Sequence, residues 1–244
     1  MRIGCDLDGV LADLHSAFAR VALDLFPDLD PAAVGAADAG ASPPDPDRAE
    51  PSESETAAPT ADVPITRRQV SAVWSALAAV PNFWESLDEI ESGGIARLAK
   101  VVEDRRWEVI FLTSRPDAPG RSVQRQSQRW LDRHGFPLPS VFVVHGSRGR
   151  IAEALALDVV VDDRPENCLD VVLESRAKAI LIWRASTASV PASAKRLGIG
   201  VAPSVAACLD VLLEAERAAA SPTDLIERLR RLLGLQTRPA GSGR

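Results

Sequence analysis

Several residue types are scarce in this chain, and their scarcity excludes whole classes of protein. Tyrosine is absent, methionine occurs once, and aromatic residues make up 5% of the 244 residues. The three cysteines, Cys5, Cys168 and Cys208, lie far apart without a CxxC pair, so neither a disulfide framework nor a structural zinc site is indicated. No apolar run reaches the roughly 18 residues of a membrane-spanning helix, and Met1 leads directly into a strand-like stretch. We therefore expect a soluble, cytoplasmic protein without a signal peptide or membrane contact.

The charge composition is that of an ordinary globular protein. Hydrophobic residues make up 46% and charged residues 25%, with a net charge of −6. Lysine is rare, because only Lys100, Lys178 and Lys195 occur among the 28 basic residues. No run dense in basic residues with interleaved aromatics is present, which argues against a nucleic acid polymer as partner.

One segment, residues 28–62, departs from this composition. It contains nine acidic residues, ten alanines and six prolines, and its larger apolar side chains are limited to Leu29 and Val34. Such a segment buries too little apolar surface to offset the entropy lost on ordering. We expect a mobile, poorly ordered insertion here.

Outside this segment, short β-branched runs alternate with helical patterns. The runs are mostly apolar on both faces, as is typical of parallel strands covered on each side. The alternation predicts an α/β fold with an open, doubly wound parallel sheet. The predicted strands are residues 2–5, 107–112, 141–144, 158–161 and 179–183, and the predicted helices are residues 94–105, 120–134, 150–156, 165–176 and 203–219.

About a hundred residues separate the first two predicted strands, far more than one crossover helix needs. We expect the surplus to form a small helical cap, with helices over residues 11–26 and 66–80 and a loop PNFWESL at 81–87. The predicted domains are a core of residues 1–12 and 92–220, a cap of residues 13–91, and a C-terminal segment of residues 221–244.

The C-terminal segment combines an amphipathic helical pattern with a loose tail after residue 235. Apolar side chains fall on one side of this predicted helix, and Gly234 can end it. The helix can dock on its own domain or mediate a homodimer or partner contact, and both interpretations stay open. The apolar side chains are Leu225, Ile226, Leu229, Leu232 and Leu233.

Polar side chains follow three predicted strands at their carboxyl ends, where open parallel sheets bind ligands. These residues are Asp6 and Asp8 after the first strand, Thr113 and Ser114 after the second, and Asp162 and Asp163 after the fourth. Four carboxylates at one sheet edge would raise each other's pKa values. A hard divalent cation with oxygen ligands removes that cost. The pattern therefore predicts Mg²⁺ at this edge.

The spacing of Asp6 and Asp8 allows them to divide the work of phosphoryl transfer. An ionised Asp beside a metal can attack phosphorus and form an aspartyl phosphate. A second Asp two positions on can protonate the leaving alcohol and later take a proton from water. Gly9 permits a tight turn that points backbone amides at phosphate. Thr113 would add a hydroxyl near the phosphoryl charge.

These motifs resemble those of the haloacid dehalogenase superfamily of phosphohydrolases. The segments DLDGV at 6–10, LTS at 112–114 and VDD at 161–163 look like its motifs one, two and four. The resemblance implies Asp6 as nucleophile and Asp8 as general acid/base and source of a carbonyl ligand. It also implies a phosphate-binding role for Thr113, and we expect Ser114, the next residue, to bind phosphate with it. The implied Mg²⁺ ligands are Asp6, Asp8, Asp162 and Asp163.

A narrower resemblance concerns the 5′(3′)-deoxyribonucleotidase-like group. It rests on the motif-one segment extended to Asp13, on the loop at 81–87 and on Asp162-Asp163-Arg164-Pro165. It implies a 5′-nucleotidase acting on (deoxy)nucleoside monophosphates. Phe83 and Trp84 in the loop could stack on a nucleobase or pack the cap on the core, and Arg115 could hold a substrate oxygen or form a surface ion pair.

The third motif of the superfamily departs from its usual pattern. A lysine is normal there, but residues 146–150 (GSRGR) offer arginines alone. Arg148 is the candidate for binding phosphate in its place, and Arg150 is the alternative. Arginine keeps the charge but not the compact geometry of an ammonium, so weakened or lost catalysis stays open.

Other interpretations accompany the catalytic one. Asp6 and Asp8 could instead cap the first cap helix, Asp162 and Asp163 could cap the helix that opens at Pro165, and Thr113 could cap its own loop. On the level of the whole protein, the alternatives are a phosphatase for sugar phosphates or other small metabolites and a degenerate phosphate-binding or interaction module.

Overall fold

The computed structural model describes residues 1–31, 34 and 65–219. These residues fall into two compact units, each described separately below. The first contains residues 1–12, 89–114 and 131–219, and the second contains residues 13–31, 34, 65–88 and 115–130. Most of the acidic segment 28–62 and the helix expected over residues 225–233 lie outside the described residues. Within the described ranges, no helix is both long enough and apolar enough to cross a bilayer.

A six-stranded parallel sheet forms the centre of the first unit. Its strands are β1 (Arg2–Asp6), β2 (Glu108–Thr113), β3 (Ser140–Val143), β4 (Val159–Asp162), β5 (Lys178–Ile182) and β6 (Gly200–Ala202). Their order is β3-β2-β1-β4-β5-β6, and each neighbouring pair is parallel. This confirms the predicted α/β fold. The strand order reverses its direction of growth between β1 and β4, which makes that position the switch point of the sheet.

The helices follow the strands as the sequence pattern predicts, with small shifts at their ends. The described helices are α1 (Leu14–Leu25), α2 (Arg67–Ala78), α3 (Gly94–Arg105), α4 (Val123–Arg133), α5 (Arg148–Ala154), α6 (Pro165–Glu174), α7 (Ala192–Leu197) and α8 (Val205–Ala219). Helix α6 packs on β4 and β5, and α8 packs on β5 and β6. The sequence analysis does not predict β6 or α7, because segments of three and six residues are too short to show a period.

Burial explains why the central strands form where they do. All four residues of β4 are buried, as are four of the five in β1, which fits strands with helices over both faces. The three cysteines lie buried and unpaired in the first unit, where they act as small apolar residues.

The second unit contains α1 and α2, and local side-chain caps start both helices. Asp13 accepts a hydrogen bond from the amide of Ser16 at 2.9 Å, and Thr66 forms a reciprocal capping box with Gln69. Phe18 packs on Trp74 with ring centroids 5.6 Å apart. Leu29 and Val34, the two larger apolar residues of the acidic segment, are buried. The start of that segment is therefore part of the packed unit.

Helix α5 lies against α6 through a contact that requires glycine. A Cβ atom added to Gly149 would lie 2.1 Å from the backbone oxygen of Asp170, a separation that real atoms do not reach. Ser147 caps this helix by accepting hydrogen bonds from the amides of Gly149 and Arg150. The cap starts α5 at Arg148, two residues before the predicted start, and this fixes the position of the Arg148 side chain.

We expect Gly149→Ala to destabilise the protein by about 1 to 3 kcal/mol, because α5 must move away from α6. Chemical denaturation of the two proteins measures the difference. Gly94→Ala is the matched control, since Gly94 also lies in a first helical turn and its added Cβ would meet nothing nearer than 3.3 Å. Helix propensity predicts a change within about 1 kcal/mol for that control. Equal losses for both variants would contradict the close-approach argument.

Candidate active site

The strand-end residues singled out in the sequence lie at one edge of the sheet. Strand β1 lies between β2 and β4, and its last residue, Asp6, is in register with Leu112. Thr113 ends β2 and Asp162 ends β4. The switch point between β1 and β4 therefore carries the predicted nucleophile on one strand and a predicted metal ligand on the next.

A buried ion pair joins Arg148 to Asp6. The Nη2 atom of Arg148 donates a hydrogen bond to Oδ1 of Asp6 at 2.6 Å, and its Nε atom lies 3.6 Å from Oδ2 of Asp162. Arg148 is 3% exposed and Asp6 is 7% exposed. Arg150 instead points outward, with its side chain 81% exposed near Glu174. Of the two arginines in the third motif, Arg148 is thus the one that faces the carboxylates.

Asp162 is held by two donors from the start of α6. The amide of Arg164 donates to Oδ1 at 2.9 Å, and the side-chain amide of Asn167 donates to Oδ1 and Oδ2 at 3.1 and 3.0 Å. These bonds fix the orientation of a side chain that is completely buried. The sequence analysis missed Asn167. Its place in the first turn of a helix that directly follows β4 is the signal that could have identified it.

Asp163 lies against the loop that follows β1. A Cβ atom on Gly9 would come within 1.9 Å of Oδ2 of Asp163, so only glycine leaves room for this carboxylate. Gly9 also has a φ of 76°, in the left-handed region. The other oxygen of Asp163, Oδ1, is buried with no hydrogen-bond partner among the described residues. Gly9 therefore not only permits the predicted turn but also leaves room for the Asp163 carboxylate.

Thr113 and Asp8 complete the group at the sheet edge. The Thr113 hydroxyl donates to Oδ2 of Asp8 at 3.4 Å, and its backbone oxygen accepts the amide of Val144. Thr113 is 1% exposed, whereas Ser114, the next residue, is exposed. The structure brings Thr113 to the predicted general acid/base, and phosphate binding by Thr113 and Ser114 stays a prediction.

For most of these aspartates, the structure does not show the helix-capping role that the sequence left open. Asp13 caps α1, so neither Asp6 nor Asp8 performs that task. Arg164 occupies the N-cap of α6 and makes no side-chain cap. Asp162 does accept the Arg164 amide just before the helix. The acids at the sheet edge are therefore not explained by helix capping alone.

Burial raises the pKa values of three carboxyls in this group, and repulsion from Asp162 adds to the shift for two of them. Burial, followed by repulsion from Asp162, raises the pKa of Asp6 well above its usual value, although Arg148 opposes the shift. Burial raises the pKa of Asp162, against the stabilising effects of Arg148 and of the donors from α6. Burial and repulsion from Asp162 raise the pKa of Asp163 to about 7. The carboxylates thus carry more negative charge than one arginine offsets.

These oxygen donors fit a magnesium ion. A cation would give a partner to Oδ1 of Asp163 and would reduce the repulsion among the carboxylates. Among residues 1–31, 34 and 65–219, no three Asp, Glu, His or Cys side chains are grouped closely enough to enclose a metal ion by themselves. Mg²⁺ is usually held by one or two carboxylates together with waters and substrate phosphate, so a full protein cage is not needed. The residues that would hold it are Asp6, Asp8 and either Asp162 or Asp163.

The residues predicted to contact substrate in the second unit are buried there. Trp84 is 1% exposed, and its indole Nε1 donates to the backbone oxygen of Pro116 at 3.1 Å. The Arg115 guanidinium lies 4.9 Å from the Trp84 ring centroid and donates to Ser127 at 2.9 Å. Trp84 and Arg115 offer no free surface in this conformation. Phe83 is 6% exposed and lines a cavity within this unit. Substrate contact by these three residues stays a prediction.

We expect the stability of the metal-free protein to fall as pH rises from 5 to 8. A carboxyl whose folded pKa exceeds its unfolded value keeps its proton longer in the folded state. Stability therefore falls as pH rises from the unfolded pKa towards the folded pKa, and the loss is complete above the folded pKa. For Asp163, with a folded pKa of about 7, the loss is about 2 kcal/mol. Denaturation in EDTA at several pH values measures it.

Asp163→Asn should make this pH dependence shallower, because asparagine does not titrate whereas Asp6 and Asp162 still do. Asp104→Asn is the matched control, because Asp104 forms an exposed ion pair with Lys100 on α3. The control should keep the slope of the unaltered protein. A slope unaffected by Asp163→Asn would contradict the charge balance derived above.

Comparisons with known proteins find similar solved structures but neither a family model nor a curated relative. No family model matches the chain, and no curated protein matches it. One similar solved structure is a hydrolase from Pseudomonas syringae, with a TM-score of 0.47 and 13% identity over 88% of this chain and 99% of that protein. Another, from Thermotoga maritima, is named a "putative beta-phosphoglucomutase" and has a TM-score of 0.48 and 18% identity over 87% of this chain and 98% of that protein. A fold can host many chemistries, so the function of this chain must follow from its own side chains.

Proposed function

We propose that this protein is a Mg²⁺-dependent phosphomonoesterase that works through an aspartyl phosphate. The observation that carries the proposal is the buried pairing of Arg148 with Asp6 beside Asp162 at the switch point of the sheet. A buried carboxylate cluster with an arginine that has unpartnered donors is suited to bind a cation and an oxyanion together.

In the proposed reaction, Asp6 attacks the phosphorus atom of a phosphate monoester. An Asp6 oxygen forms a bond to phosphorus while the bond to the alcohol oxygen breaks, and Asp8 gives that oxygen a proton. Asp8 then takes a proton from water, which attacks the phosphorus and releases Asp6 and inorganic phosphate. The Thr113 hydroxyl, hydrogen-bonded to Asp8, is placed to orient this acid/base group.

Arg148 has the donors to bind the phosphoryl group while it holds the nucleophile. Its Nη2 atom is engaged with Asp6, and its buried Nη1 atom has no hydrogen-bond partner among the described residues. A phosphate oxygen would satisfy that donor. When bound, Mg²⁺ offsets the negative charge that the carboxylates and the phosphoryl group bring together.

We propose a nucleoside monophosphate, with a deoxyribose sugar, as the substrate. This step rests on the resemblance of residues 6–13, 81–87 and 162–165 to the deoxyribonucleotidase-like group, and not on the geometry of the second unit. The alternative on the same catalytic residues is a phosphatase for a sugar phosphate or another small metabolite.

We expect Asp6→Asn to lower kcat on an aryl phosphate by at least about a thousandfold, because the amide cannot act as the nucleophile. The assay follows phosphate release with Mg²⁺ and again with EDTA, which should abolish turnover. Asp210→Asn is the matched control, since Asp210 pairs with Arg97 in the same unit and makes no contact with the site. Wild-type protein as inert as Asp6→Asn would instead favour a non-catalytic phosphate-binding module.

A panel of phosphate monoesters tests the substrate class. We expect the highest kcat/KM on deoxyribonucleoside monophosphates, with sugar phosphates at least about tenfold lower. Turnover of a sugar phosphate without turnover of any nucleotide would reject the nucleotide proposal and leave the phosphatase mechanism intact.

A further inference from the structure

The loop after β1 pairs several of its backbone groups internally, but the carbonyls of Gly9 and Val10 take their donors from a side chain outside it. The amides of Leu11 and Ala12 both donate to the oxygen of Leu7 at 2.8 Å, and the amide of Gly9 donates to the oxygen of Ala12 at 3.0 Å. The carbonyls of Gly9 and Val10 accept no hydrogen bond from within this turn. Since buried or half-buried carbonyls are normally paired, their donor is a part of the loop's structure.

Arg184 supplies both donors. It follows the carboxyl end of β5 by two residues, at the same edge of the sheet as the catalytic group. Its Nη1 atom donates to the oxygen of Gly9, and its Nη2 atom donates to the oxygen of Val10 at 3.0 Å. A planar guanidinium can hold two adjacent carbonyls in fixed relative positions, whereas an ammonium on a flexible stem holds one.

Arg184 is itself fixed by a second charged residue. Its Nη2 atom lies 3.1 Å from Oε1 of Glu91, and the Glu91 carboxylate accepts the amides of Val205 and Ala206 at 2.7 and 3.0 Å. These amides belong to the first turn of α8, where an anion is favoured. The helix start therefore orients Glu91, Glu91 orients Arg184, and Arg184 holds the loop.

The loop segment that Arg184 holds forms one wall of the carboxylate group. Gly9 lies so close to Asp163 that even a methyl group would collide with the carboxylate. Asp8 precedes Gly9 directly, so a shift of the Gly9 carbonyl moves the proposed acid/base as well. The Arg184 side chain is 32% exposed. Besides Glu91, its partners are backbone carbonyls and not the aspartates at the sheet edge.

We propose that Arg184 is a positioning residue that sets the geometry of Asp8 and Gly9 for phosphoryl transfer. This role rests on the proposed function, and it predicts an effect on turnover more than on substrate binding. Displacement of reacting groups by about 1 Å can lower a rate a hundredfold, and loss of an outer-shell partner typically costs ten- to a hundredfold.

The test compares Arg184→Met, Arg184→Lys and a control, Arg97→Met, in the full chain. Arg97 forms an exposed ion pair with Asp210 in the same unit, so its loss removes one charge and one ion pair without touching the loop. We expect Arg184→Met to lower kcat by at least about tenfold, with KM changed by less than about threefold. Arg184→Lys should recover part of kcat, and Arg97→Met should keep the wild-type value.

Hydrogen–deuterium exchange of the peptide that covers residues 7–12 provides a readout independent of activity. We expect the amides of Gly9, Leu11 and Ala12 to exchange at least about tenfold faster in Arg184→Met than in Arg97→Met. If wild-type protein is inert, the proposed function fails, and the exchange result still decides whether Arg184 holds the loop.

Three outcomes would overturn the inference. Unchanged exchange and unchanged kcat in Arg184→Met would show that the loop keeps its position without the arginine. Full recovery of kcat by Arg184→Lys would show that charge alone matters. A rise in KM with kcat unchanged would assign Arg184 to substrate binding instead.

Discussion

The structure depends on three carboxylates, two buried and one half-buried, that meet at the switch point of a parallel sheet. Asp6 and Asp162 end adjacent strands, so the topology itself brings their charges together, and Asp163 adds a third. Arg148 offsets part of this charge, yet the pKa values of all three carboxyls remain raised. The site is therefore costly to the free protein, and a bound cation and phosphate would relieve that cost.

Backbone features outside the site hold this arrangement in place. Ser147 starts α5 early enough to bury Arg148, and Gly149 allows α5 to approach α6 closely. Asn167 on α6 orients Asp162, so the same pair of helices positions both an arginine and an aspartate. The packing of α5 on α6 is thus a condition for the charge balance, even though neither Ser147 nor Gly149 touches a carboxylate at the sheet edge.

The sheet and most helices could be predicted from the sequence, because fully buried strands appear as continuous β-branched runs. Asp6, Thr113 and Asp162 follow from the same pattern, since parallel strands end at one edge. The choice between Arg148 and Arg150 could not be made, because it depends on where the Ser147 cap starts the helix, two residues before the predicted start. Trp84 packs beside Arg115, and Arg184 contacts the loop after β1. Both contacts join residues that lie far apart in the sequence. Local patterns carry no information about such contacts.

The presence of arginine rather than lysine at position 148 has a physical consequence. A buried lysine can lose its proton when desolvation outweighs its partners, whereas a guanidinium stays charged. Its planar fork also allows one side chain to pair with Asp6 while its Nε atom lies near Asp162. Because Nη1 has no hydrogen-bond partner among the described residues, Arg148 can donate a hydrogen bond to an oxyanion while it stays paired with Asp6. Under the proposed function, an arginine at this position is compatible with phosphoryl transfer provided that its rigid fork also matches the position of the phosphoryl oxygens.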